Sequence, residues 1–113
     1  MATISNLFVD AGTNYSNVIT VASASGAPLD LTGYTVKSQM RKSYTSTTAY
    51  DFTCSVYDAN NGLIRIQLSN SQSSAIPHGR YLYDLEITGP SPDLVKTRVI
   101  EGIVVVTPQI TQI

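Results

Sequence analysis

The sequence predicts an all-β fold, an immunoglobulin-like antiparallel β-sandwich of about seven strands. Three observations point there. Apolar residues recur at every second position in segment after segment, the period of a strand with one face in a core. Between these segments lie "SASGAP", "DLTG", "DANNG", "IPHG" and "GPSPD", clusters of residues that supply turn geometry. Tyrosine occurs seven times, tryptophan is absent and only 13% of residues are charged, a composition of strands and turns rather than of exposed helices.

The elements follow in order. Two early strands are expected around Ile4 to Val9 and Asn17 to Ala22, and a third carries Tyr34, Val36 and Met40 on one face. Lys42 to Ala49, "KSYTSTTA", reads as an exposed loop. Tyr50, Phe52, Cys54 and Val56 form the inward stripe of the next strand, which ends at "DANNG". There Asn61-Gly62 offers the positive φ angles of a tight hairpin, so the strands on either side should pair antiparallel. Ile64, Ile66 and Leu68 mark the returning strand, and "SNSQSSAI" can hold a single helical turn. Tyr81, Tyr83, Leu85 and Ile87 line one face of a further strand. A long last strand runs from Leu94 to Thr107, with a bulge expected at Gly102. The predicted core is Val36, Phe52, Val56, Ile64, Ile66, Leu68, Tyr83, Leu85 and Ile87, in one domain spanning residues 1–113.

Charge and composition exclude several function classes. Seven basic and eight acidic residues leave no basic stripe to meet a phosphate backbone, so nucleic acid is not an expected partner. No apolar run approaches the roughly 20 residues that span a bilayer, and the N-terminus lacks the charged and apolar regions of a secretory signal. No membrane partner is expected. Cys54 is the only cysteine and His78 the only histidine, which excludes an internal disulfide and the common zinc sites.

Asp84 and Glu86, in "GRYLYDLEI", are the one arrangement that suggests catalysis. Two carboxylates at this spacing lie about 7 Å apart along a strand, but both fall on the face opposite Tyr83 and Leu85. A flat solvated face supplies neither a cleft nor the raised pKa an acid catalyst needs. Cys54 reads as a small core residue, His78 as a turn residue, and "DANNG" lacks the later ligands of a calcium loop. No catalytic residue, cofactor or metal site is assigned, and the chain is not expected to be an enzyme. Tyr15, Tyr44 and Tyr57 remain as candidate surface anchors, the basis of an alternative reading as a carbohydrate- or host-surface-binding module.

The final stretch "GIVVVTPQITQI" is apolar on both faces, with Val104 and Val106 opposite Ile103 and Val105. A two-layer sandwich covers one face of a strand, and Ile110 and Ile113 extend the apolar character past Pro108. Val104, Val106, Ile110 and Ile113 are therefore the candidate interface, and a homo-oligomer is expected.

The order of signals carries a resemblance. "GAPLDLTGYTVKSQMRK", "DANNGLIRIQLS", "IPHGRYLYDLEIT" and "TRVIEGIVVVTPQIT" follow one another between Gly26 and Thr111. This succession resembles small bacteriophage virion structural domains, including the N-terminal module of siphophage upper baseplate proteins. In that group a "DLTG" corner precedes a strand, a turn ending in "NG" opens the next, a "G-x-Y-x-x-D/E" strand follows, and a "G-x-V-x-V-x-P" strand closes the domain. The resemblance implies a non-enzymatic virion component made in the host cytoplasm, with other virion proteins as partners. Capsid decoration, a head–tail junction or a tail or baseplate position would each suit it.

Overall fold

The computed structural model of the protein describes residues 3–22, 26–90, 92 and 94–108. Alternating apolar residues build nine strands within them: β1 (Thr3–Ile4), β2 (Leu7–Asp10), β3 (Tyr15–Thr20), β4 (Thr35–Arg41), β5 (Tyr50–Asp51), β6 (Thr53–Asp58), β7 (Leu63–Leu68), β8 (Gly79–Thr88) and β9 (Lys96–Thr107). One sheet has the order β1-β9-β8-β4-β5, with β2 also on β9, and the other is β3-β7-β6. β1 and β2 run parallel to β9, whereas the other pairs are antiparallel. Two packed sheets with this strand order form an immunoglobulin-like β-sandwich, as the sequence predicts.

Between the layers lie Phe52, Ile64, Ile66, Leu68, Tyr83, Leu85 and Ile87 of the predicted core, all buried. Val36 and Val56 are half-buried at its margin, and Leu7, Val9, Val21, Leu31, Met40, Ile76, Tyr81, Ile100, Val104 and Val106 complete it. Tyr81 sits at the corner where the chain enters β8, and its hydroxyl donates to the Pro77 carbonyl at 2.6 Å. This is the tyrosine corner of immunoglobulin-like sandwiches. Two residues on, where an immunoglobulin places its second cysteine, stands Tyr83. Its ring meets Phe52 edge-on at 6.1 Å, and Phe52 in turn touches Tyr15 at 6.3 Å. An aromatic stack thus bridges the layers where other members of the fold use a disulfide.

Several local features differ from the sequence expectation. The predicted strand Tyr50 to Val56 is two strands in different sheets, β5 beside β4 and β6 beside β7. Phe52 lies at the switch, and its inward side chain keeps the alternation unbroken through it. The β6–β7 hairpin forms, but through a 3₁₀ turn over Ala59–Asn61 closed by Gly62 at φ 67, with Asn61 outside the left-handed region. The helical turn forms as α1 (Asn70–Ser74), because Ser69 and Gln72 make a reciprocal capping box. The bulge of the last strand falls at Val99, not Gly102: Leu85 pairs with Ile100 and Glu86 with Arg98, leaving Val99 unmatched.

Gly102 pairs regularly with Tyr83 and answers a different need. A Cβ there would stand 2.2 Å from the Ser5 carbonyl oxygen. The link between β1 and β2 tucks beneath Gly102, held by Ser5 N donating to Glu101 O at 2.9 Å and by the Tyr83 hydroxyl donating to Ser5 O at 2.5 Å. The Asn6 side chain accepts from Ile103 N at 3.2 Å. Glycine permits this close approach of two backbones.

Candidate functional site

The Val99 bulge sets the phase of β9, so Ile100, Val104 and Val106 face inward and Ile103 and Val105 outward. Val104 and Val106, expected as interface residues, are 0% and 2% exposed and pack with Leu7, Val9 and Tyr81. They are core, and the apolar face left over is the other one. Ile110 and Ile113 lie outside the described residues.

That outer face continues across the larger sheet in matched rows. Phe8, Val105 and Arg80 form one, Ile103, Leu82 and Arg41 the next, and Ile4, Glu101, Asp84 and Gln39 a third. Ile4 and Phe8 are 73% and 70% exposed. Antiparallel sheets with one solvated face normally alternate to polar residues there, so an apolar strip of Ile4, Phe8, Leu82, Ile103 and Val105 departs from the pattern. A groove of about 560 Å³ runs over the part of it formed by Ile4, Leu82 and Ile103, with Tyr44 also in its lining. The loop carrying Tyr44 is anchored at its base, where the Arg41 guanidinium donates to Ser46 O at 2.7 Å.

Asp84 and Glu86 are on the outward face as the alternation predicts, but that face is not flat as expected, and both line this groove. Asp84 is paired with Arg98 at 3.1 Å, and Arg98 also reaches Glu101 at 3.5 Å. An exposed network of this kind contributes about 0–1 kcal/mol per pair and orients the rim rather than activating a carboxyl group. Cys54 is half-buried on the inner side of β6, and burial pushes its thiol up to about 11. The reactive thiolate is correspondingly scarce at neutral pH. Among the described residues, no group of three His, Cys, Asp or Glu side chains is placed to hold a metal ion. No helix among them is long and apolar enough to cross a membrane.

The three tyrosines proposed as surface anchors separate. Tyr15 faces inward from β3, packs on Phe52 and has its hydroxyl pKa raised by burial. It belongs to the margin of the core, because β3 begins two residues earlier than the sequence suggests and puts Tyr15 in phase with Asn17 and Ile19. Tyr44 and Tyr57 are exposed, at 79% and 54%. Tyr44 overhangs the outer face of the larger sheet, while Tyr57 lies on the smaller one under the Arg65 guanidinium at 4.3 Å. They form no common platform. Ile4 and Phe8 were not singled out in the sequence, where Ile4 to Val9 reads as a strand with neither face assigned.

No protein-family model matches the chain, and no curated protein matches it. Among solved structures, it is similar to a VGSC beta subunit studied for multimeric cell-adhesive interactions, with 15% identity and a TM-score of 0.45 over 92% of each chain. It is also similar to an internalin-like protein of Listeria monocytogenes, with 10% identity and a TM-score of 0.40, over 96% of this chain and 28% of that one. The likeness is one of fold alone. The assignment to immunoglobulin-like sandwiches rests on the strand pairing and the tyrosine corner described above.

Proposed function

We propose that this protein is a non-enzymatic structural domain of a bacteriophage virion, acting by protein–protein assembly through the outer face of its larger sheet. One observation carries the assembly reading: Ile4, Phe8, Leu82, Ile103 and Val105 form a continuous apolar strip on a sheet face that the fold itself leaves uncovered. The virion context is supported by the succession of "DLTG", "DANNG", "GRYLYDLEI" and "GIVVVTP" motifs, and the partners are other virion proteins. The charged rim of Arg98, Asp84 and Glu101 gives such a contact register, since rim charges select partners more than they add affinity.

Mass spectrometry of gradient-purified particles from the phage carrying this gene tests the proposal. The chain should be present at a stoichiometric copy number, and Phe8→Asp should abolish incorporation while leaving the melting temperature unchanged. Absence from purified particles would reject the virion role, and full incorporation of Phe8→Asp would reject the face.

A second reading, carbohydrate binding, is favoured by Tyr44, whose exposed ring stands beside Gln39, Arg41 and Asp84 in the groove. An aromatic platform flanked by hydrogen-bonding groups suits a sugar ring. Glycan-array binding lost in Tyr44→Ala would support it, and no binding by the wild type would eliminate it.

A further inference from the structure

Among the described residues the smaller sheet has three strands, and β3 is its edge. β1 and β2 pair with β9 instead of covering it. The consequence is visible in burial: inward-facing Ile64, Ile66 and Leu68 of β7 are at most 2% exposed, whereas Tyr15, Asn17 and Ile19 beside them on β3 are only half-buried. Val21 N donates to Gly62 O on the β7 side. Strand alternation then directs the N–H and C=O groups of Ile19, Asn17 and Tyr15 toward β7 and those of Ser16, Val18 and Thr20 toward the open edge. These six groups form a regular row of donors and acceptors.

Natural edges are blunted by charge, proline, a bulge or shortness. Among the described residues the other edges follow that rule. β5 has two residues, β1 and β2 are broken at Ser5-Asn6, and β6 carries Asp58 and a register shift after Val56. β3 has none of these devices: Thr13 to Ala22, "TNYSNVITVA", contains no charge and no proline. Its outward side chains are Ser16, Val18 and Thr20, with Val18 41% exposed.

We propose that β3 is a self-association edge that pairs antiparallel with β3 of a second copy about a two-fold axis at Val18. The strand's own symmetry selects this occupant. Opposed residues in an antiparallel pair must share a face, so only registers that match outward residues with outward ones are allowed. Centring on Val18 opposes Val18 to the partner's Val18, and Ser16 to the partner's Thr20. That register alone engages Ser16, Val18 and Thr20 entirely with one another. Six hydrogen bonds form, the exposed valines cover each other, and no like charges meet across the seam. The two three-stranded sheets become one of six strands. A single strand edge buries far less than the roughly 800 Å² per partner of a standard interface, so the dimer is weak in dilute solution.

Sedimentation equilibrium of the full chain should show the weight-average mass rising from that of one copy toward that of two between about 0.01 and 1 mM, the range of such small contacts. Val18→Lys should remove the rise, whereas Ser55→Lys, on the opposite edge, should leave it. Folding of each variant is checked by its thermal melt. Disulfide capture is independent of affinity. In a Cys54→Ser background, Val18→Cys should cross-link into dimers on mild oxidation at least tenfold faster than Ser16→Cys, because opposed residues of a hydrogen-bonded pair stand about 5.5 Å apart at Cα, within disulfide reach. Ser16→Cys combined with Thr20→Cys should cross-link as Val18→Cys does. A wild type monomeric at 1 mM with equal cross-linking of Val18→Cys and Ser16→Cys would overturn the proposal. So would an oligomer that survives Val18→Lys, which would assign association to another surface. Phe8→Asp should leave the dimer intact, so failure of this inference is distinguishable from failure of the outer-face assembly.

Discussion

Replacing Gly102 by alanine tests whether the N-terminal strands are locked beneath β9. The new methyl would stand 2.2 Å from Ser5 O and 2.9 Å from Ser5 C, with the Asn6 side-chain oxygen at 3.0 Å. Favourable carbon contacts begin near 3.5 Å, and the crowding atoms are backbone, so the β1–β2 link must lift away. Lifting breaks the Ser5-to-Glu101 and Tyr83-to-Ser5 hydrogen bonds and loosens the one from Ile103 to Asn6. At about 0.5–1.5 kcal/mol each, with the Tyr83 hydroxyl left unpartnered, the loss is roughly 2–4 kcal/mol. That is a large share of the 5–15 kcal/mol typical of a domain. Urea titration followed by circular dichroism reads it directly: with a slope of about 2 kcal/mol/M, the midpoint should fall by roughly 1–2 M at unchanged slope. Tyr83→Phe alone should cost about 1 kcal/mol and add little to Gly102→Ala, because the bond it removes is already broken. A Gly102→Ala variant within 0.5 kcal/mol of wild type, the scatter of neutral substitutions, would refute the close crossing at Ser5.

Other outcomes follow from the same geometry. Phe52→Ala, deleting a ring between Tyr15 and Tyr83, should cost about 3–5 kcal/mol, and Thr53→Ala, on the exposed face, under about 0.5 kcal/mol; equal effects in thermal melts would put the strand register wrong by one residue. Tyr81→Phe should lower stability by about 1 kcal/mol through loss of the corner bond to Pro77, and an unchanged melt would dismiss that bond's contribution. Because the folded-state Cys54 thiol is raised from 9.0 to about 11, the unfolded chain releases that proton first, and stability should fall as pH rises through this window. The effect is fully absent below pH 8 and should be smaller in Cys54→Ala, measured by melts from pH 8 to 11.

The alternation of Tyr81 to Ile87 and of Ile64 to Leu68 was enough to place β8 and β7 and the core face of each, because polar residues on the other face leave one choice of phase. β9 offers no such choice. With valine or isoleucine at four consecutive positions from Ile103 to Val106, periodicity is silent, and the phase is set by the bulge at Val99 against Leu85. Val104 and Val106, read from the sequence as interface residues, therefore face the core, and the outward apolar pair is Ile103 and Val105. Tyr50 to Val56 hides its change of sheet because Phe52 faces the core on both sides of it. Ser38 is a polar residue on an inward position, tolerated because its hydroxyl donates to the Asp84 carbonyl at 2.6 Å. Of the candidate site, Tyr44 was legible from its Ser- and Thr-rich loop. The strip it overhangs depends on β1 and β2 lying beside β9, a long-range pairing that local pattern does not encode.

That pairing also sets the order in which the molecule can be made. Thr3 finds its neighbour at Ile100 and Asp10 at Thr107, so β1 and β2, made before the other described strands, have no place to dock until β9 has been synthesised. The loop to be closed is almost as long as the described chain, and such non-local closure slows folding relative to helical proteins of the same size. Until it closes, the outer edge of β9 and the inner faces of Leu7 and Val9 stay exposed together. Newly made chains at high concentration pass through this interval with two complementary unpaired strands, which gives exchange of the N-terminal strand between neighbouring copies a kinetic opening.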